Sequence, residues 1–203
     1  MEEVSSHLKP VLCLITDRRR VGPSWEIVLV ERVRAAARAG VHLVQIRERD
    51  LDGGPLTRLV ASCVEAVRGT RTRVLVNDRL DVALAAGAHG VHLRADSFAA
   101  PRVRVRAPSP FLIGRSVHSV AEAVEATEYG GLDYLIFGTV FETSSKPGRR
   151  PAGLGALATV SAATCVPVLA IGGITAGRVD EVMRAGAAGV AAIGMFDTPA
   201  GVP

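Results

Sequence analysis

The sequence has few aromatic residues: one Trp, two Tyr and five Phe among 203. A core of stacked rings is excluded. The apolar mass comes instead from Val, Leu, Ile and Ala, as buried parallel strands prefer. Cysteine is also scarce. Cys13, Cys63 and Cys165 are scattered without metal-ligand spacing, which excludes a zinc framework. Each sits in an apolar segment and reads as a small buried residue. Lysine is almost absent, with 2 against 22 arginines, a bias that, beside abundant Ala and Gly, looks like genomic composition. Long apolar runs are missing too, since Gly or charge interrupts each one. No membrane span or signal peptide is visible, and a cytoplasmic protein is expected. No dense basic run interleaves with aromatics, so nucleic acid is not an expected partner. The nearest basic patch, Arg102, Arg104 and Arg106, reads as a solvated surface stretch. The net charge of +4 suits a phosphorylated small molecule without requiring one.

What is present is an alternation. Candidate strands lie at Val11–Thr16, His42–Arg47, Arg73–Asn77, Gly90–Leu93, Phe111–Ser116, Tyr134–Phe137, Pro167–Ile171 and Gly189–Ile193. Candidate helices lie at Trp25–Ala39, Pro55–Arg68, Leu80–Ala86, Val120–Tyr129, Gly155–Ala162 and Ala176–Ala185. Strand, loop and helix in that order predict an α/β protein with a parallel sheet. Eight strands predict closure into a (β/α)8 TIM barrel, a single domain over residues 1–203. Residues 1–10 read as an N-terminal tail and 195–203 as a short C-terminal one. A weak repeat agrees: Ala39-Gly40-Val41-His42, Ala86-Gly87-Ala88-His89 and Ala185-Gly186-Ala187-Ala188 each end a helix on glycine before a buried strand. Two departures stand out. Ser97–Arg106 carries Pro101 and predicts a poor helix after the fourth strand. Too few residues follow the eighth strand for a final closing helix. Either the N-terminal segment or a second subunit of a homo-oligomer covers that wall, or the wall is incomplete.

Polar and glycine-rich groups recur at the strand ends, which in such a barrel converge on one face. Gly114-Arg115-Ser116-Val117-His118-Ser119 puts a histidine between a strand and a helix. A lone histidine is more often structural, but an imidazole at a barrel's C-terminal rim can both accept and donate a proton near neutral pH. His118 is therefore the candidate catalyst. Gly172 and Gly173 after the seventh strand, with Ile193 and Gly194 after the eighth, can offer backbone N–H groups to a phosphate; the plainer reading is a tight turn. Lys146, kept in an arginine-rich chain, lies in a loop with Thr143 and Ser145 and suits a phosphate oxygen. It reads equally well as an exposed lysine. Gln45 and Arg47 share one side of their strand and, with Asn77, can hydrogen-bond a heterocycle or an anion. Asp78 reads as a helix N-cap or as a ligand.

In order along the chain, LITDR from Leu14, QIRE from Gln45, NDRLDVALAAGAHGVHL from Asn77, IGRSVHS from Ile113, FGTVFET from Phe137 and AIGGIT from Ala170 resemble the thiamine-phosphate synthase and thiazole tautomerase family. The resemblance spans most of the chain and implies a (β/α)8 barrel that binds a phosphorylated thiazole. In the synthase, two acids hold Mg2+. Asp78 matches the first. Ser97 stands where the second is expected, Asp96 lies one residue early, and Arg94-Ala95 replaces Gly-Gln. The synthase's pyrophosphate-binding lysine is Arg49 here. GRSVHS with FGTVFETSSK resembles the tautomerase, in which the histidine matching His118 shuttles a proton. The expectation is a tautomerase that needs no cofactor. The alternatives are a Mg2+-dependent synthase using Asp78 and Asp96, and a non-catalytic thiazole-phosphate-binding or regulatory module.

Overall fold

The computed structural model describes residues 10–107, 109–143, 145, 148 and 150–196. Eight short apolar segments form strands: β1 Val11–Ile15, β2 Leu43–Ile46, β3 Arg73–Asn77, β4 Gly90–Leu93, β5 Leu112–Val117, β6 Tyr134–Gly138, β7 Val168–Ile171 and β8 Gly189–Ala192. Each pairs in parallel with its sequence neighbour, and β8 returns to β1, closing the barrel in the order β1 to β8. The helices between them are α1 Trp25–Arg38, α2 Gly53–Ala66, α3 Leu80–Ala85, α4 Ala100–Arg104, α5 Val120–Glu128, α6 Gly153–Ala162 and α7 Val179–Arg184.

The strands are apolar on both faces because both faces are buried. In β1, Cys13 and Ile15 point into the barrel while Leu12 and Leu14 meet the helices; in β6, Tyr134 and Ile136 point inward and Leu135 and Phe137 outward. Truncating a fully buried leucine of the outer layer such as Leu135 costs about 2–5 kcal/mol. The glycines that end α1, α3 and α7 (Gly40, Gly87 and Gly186) all have positive φ, as left-handed helix C-caps require.

Two details differ from expectation. Cys13 and Cys63 are buried, but Cys165 is exposed, because it falls in the α6–β7 connection and not in a strand. Arg104 is no free surface residue: its guanidinium bonds the carbonyls of Gly131 and Phe111 and the Asp133 carboxylate, since the short α4 lays it across the neighbouring turns. After β8 a single 3-10 turn, Gly194–Phe196, is described.

Candidate active site

The C-terminal strand ends open into a cavity of about 1480 Å³. Gln45, Arg47, Asn77, His118, Thr143, Ser145, Gly172, Gly173, Ile193 and Gly194 all line it. Elements far apart in sequence are brought together because parallel register sends every strand's C-terminal end to one rim. Lys146 lies outside the described residues.

His118 follows β5 directly. Its ring Nδ1 lies 2.6 Å from the Gly138 carbonyl oxygen at the end of β6. That oxygen can only accept, so Nδ1 carries a proton, and the neutral form of the ring has its lone pair on Nε2. Nε2 has no partner among the described residues. The backbone is fixed as well. Ser119 caps α5 by accepting from the Glu122 N–H at 3.1 Å, and the Glu122 carboxylate accepts from the His118 N–H at 2.8 Å. The Ser-x-x-Glu spacing is a capping-box signal legible in the sequence and missed there.

On the opposite wall, the Gln45 amide donates to Asn77 Oδ1 at 3.0 Å. Gln45 is 2% exposed and its Oε1 has no partner, so an acceptor is left unsatisfied at the cavity. Arg47 is half-buried, and its pKa is lowered by burial and then by Arg49. No ion pair to it is found among the described residues. An anion placed there would relieve both penalties.

Sequence reasoning passed over His92, Ser116 and Tyr134. His92 is buried in β4, with Nε2 at 2.9 Å from Ser116 Oγ and Nδ1 at 3.0 Å from the Tyr134 hydroxyl. Burial, then Arg115, pushes its pKa down to about 3. Strand alternation was the available signal: His92 is in register with Asn77 and Gly114, both inward positions.

Gly173 has φ +64, and a Cβ there would sit 2.3 Å from the Glu142 carbonyl oxygen. The turn after β7 thus packs tightly against the loop after β6. The N–H groups of Gly173 and Gly194 have no acceptor among the described residues, while the Gly173 carbonyl accepts from Arg178 at 2.9 Å. Arg178 also stacks on Phe141, 4.3 Å from the ring centroid, and lines the cavity.

The two acids considered for Mg2+ are otherwise engaged. Asp78 is not the cap of α3, which is Arg79. It adopts φ 58, a left-handed conformation that only a short polar side chain tolerates well. Its carboxylate accepts from the Ser97 hydroxyl and pairs with Arg94 at 3.3 Å. Asp96 pairs with Arg94 at 2.8 Å, and that contact lowers its pKa. No group of three or more His, Cys, Asp or Glu side chains suited to a metal occurs among the described residues. Asp78 and Asp96 thus both face the Arg94 guanidinium, with which a Mg2+ ion held by these two carboxylates and a substrate phosphate would have to compete.

A closed (β/α)8 barrel with a wide polar cavity at its C-terminal rim has the architecture in which barrel enzymes bind small molecules. Within that class, the chain belongs to the thiamine monophosphate synthase family, which it matches over residues 12–196. It is 37% identical to the putative thiamine-phosphate synthase 2 of Aquifex aeolicus, covering 92% of this chain and 97% of that one. It is 45% identical to the thiamine-phosphate synthase of Methanoculleus marisnigri, over 79% and 76% of the two chains. Among solved structures, the thiamine phosphate pyrophosphorylase of Pyrococcus furiosus superposes with a TM-score of 0.79 at 33% identity, covering 94% of this chain and 89% of that one. The fold and family expected from the motifs are thereby established. These relatives bear synthase names, and nothing in them singles out the tautomerase.

Proposed function

We propose that the cavity takes a phosphorylated thiazole and that the protein is a thiazole tautomerase of thiamine biosynthesis. The observation that carries this reading is His118, with Nδ1 engaged by Gly138 and Nε2 without a partner among the described residues. The substrate would be a carboxylated thiazole phosphate with an exocyclic double bond. Nε2 takes the ring proton, the electron pair left behind shifts through the ring, and the same proton returns to the exocyclic carbon. The ring becomes aromatic and no atom is gained or lost. During the imidazolium stage Nδ1–H still donates to Gly138, so the ring need not turn. One positioned base serves both transfers. The N–H groups of Gly173 and Gly194 would receive the phosphate, and Arg47 the carboxylate, with Thr143, Ser145 and Lys146 as further ligand contacts. Gln45 and Asn77 would orient the ring.

The second reading is thiamine-phosphate synthase, a coupling of a pyrimidine pyrophosphate to the thiazole phosphate. The names of the relatives favour it over the tautomerase. The engagement of Asp78 and Asp96 with Ser97 and Arg94 weighs against it in this chain. His118→Asn tests the first reading. It should keep thiazole-phosphate affinity while single-turnover aromatisation falls about 10²–10⁴-fold. Near-normal turnover would end the catalytic assignment. Affinity without turnover in the wild type would leave a binding module.

A further inference from the structure

The floor of the cavity carries a chain of three polar side chains that the proposed reaction does not use: His92 and Tyr134 are buried and Ser116 is partly exposed. Tyr134 is buried, and its only hydrogen-bond partner among the described residues is His92. Gly114 makes room for it, because a Cβ there would lie 2.1 Å from the tyrosine ring. Burial raises the pKa of the phenol, so its hydroxyl keeps its proton and has to donate. A buried O–H without an acceptor costs about 1–3 kcal/mol, and the only acceptor in reach among the described residues is His92 Nδ1. His92 is neutral, with a pKa near 3, so its single N–H is on Nε2 and points at Ser116 Oγ, 2.9 Å away. Ser116 thus accepts from the imidazole. Its own hydrogen has no acceptor among the described residues, and the residue lines the cavity. The reverse direction would strand the phenol proton.

We infer that His92 and Tyr134 are positioning residues that fix the Ser116 hydroxyl as a hydrogen-bond donor to the ligand. The site then selects a ligand with an acceptor atom, such as a ring nitrogen or a carboxylate oxygen, at the cavity floor. This inference rests on the reading of the cavity as the site of a thiazole phosphate. It adds a polarity that the reading lacks. A ligand presenting a donor at that point would meet the Ser116 hydrogen head-on.

Two arms test it. In ligand-free wild-type protein labelled with 15N-histidine, with the His92 signals assigned from the His92→Gln spectrum, Nε2 should be protonated and Nδ1 bare. A proton on Nδ1 overturns the inference. In the second arm, Ser116→Ala and His92→Leu should each lower kcat/KM for the carboxylated thiazole phosphate by about tenfold. The double variant should be no worse than either single one, because His92 acts only through Ser116. His92→Gln, whose amide can accept from Tyr134 and donate to Ser116, should recover most of the loss. Multiplicative losses, or no recovery with Gln in a folded variant, would make His92 merely structural and overturn the inference. The nitrogen arm needs no ligand. It decides the polarity even if the wild type turns over nothing, an outcome that overturns the functional reading alone.

Discussion

His92 and Arg47 show how single side chains at this rim trade stability for function. The pKa of His92 falls from an ordinary 6.5 to about 3 on burial, so the unfolded chain binds a proton that the folded one refuses. Its contribution is complete above pH 6.5 and is lost progressively as pH falls from there towards 3. Between pH 7.5 and pH 5 the loss is about 2 kcal/mol. Urea unfolding at both pH values should show that slope in the wild type and a shallower one in His92→Gln; parallel slopes would contradict the burial argument. Arg47 carries the opposite signature. Its charge is partly desolvated beside Arg49 without an ion pair, so Arg47→Leu should leave the melting temperature unchanged or raised while thiazole-carboxylate affinity drops at least tenfold. Calorimetry of unfolding and of binding on the same sample separates the two effects. The places of His118, Gln45 and Asn77 at the rim were legible in the sequence because each falls where an apolar strand gives way to polar residues. His92 was not, because a histidine between Val91 and Leu93 looks like core until the strand's inward face is fixed. Asp78 was misread for a related reason. Its partners Arg94 and Ser97 lie beyond the next helix and strand, and no local pattern announces that a serine and an arginine occupy the carboxylate.

At the level of elements, the strand and helix positions followed from periodicity and glycine stops, and the differences fall at the ends, where hydrogen bonding rather than pattern sets the boundary. The predicted helix at Ala176–Ala185 begins instead with a 3-10 turn, Ala176–Arg178, whose Arg178 side chain returns to the Gly173 carbonyl. The glycines inside the barrel were less legible. Gly114 falls within the expected strand Phe111–Ser116, but no local pattern shows that it is the space into which Tyr134 of β6 fits. Gly114→Ala should therefore destabilise the fold by about 1–3 kcal/mol through overpacking and displace the tyrosine from His92. Near-UV absorbance of the tyrosine and the melting temperature should change together. An unaffected melting temperature would mean that the barrel floor has slack which this packing denies. Gly173 carries a different constraint, since its positive φ and the nearby Glu142 carbonyl strain any side chain whatever its charge. A substitution there reports on the turn as much as on anion binding.

For the whole molecule, eight alternating units foretold the barrel, and the cavity at one rim followed from the sense of the parallel strands. Closure itself needed the β1–β8 pairing, through which Val11 meets Gly189, a contact between the two ends of the sequence that no local signal carries. The charge arrangement is likewise collective. Arg19, Arg47, Arg49, Arg94 and Arg178 line the cavity beside Asp17, Asp96 and Glu142, so the excess of positive charge there is larger than a chain with a net charge of only +4 would suggest, which suits an anionic substrate. The central claim is that this arginine-rich rim performs proton transfer at His118 without a metal. The most direct test is to assay both reactions on one preparation, with Mg2+ and with EDTA. Aromatisation of the carboxylated thiazole phosphate should proceed equally in both and collapse in His118→Asn, while thiamine phosphate formation stays negligible. Brisk thiamine phosphate formation that requires Mg2+, with no aromatisation in EDTA, would contradict the account and give the cavity to the synthase.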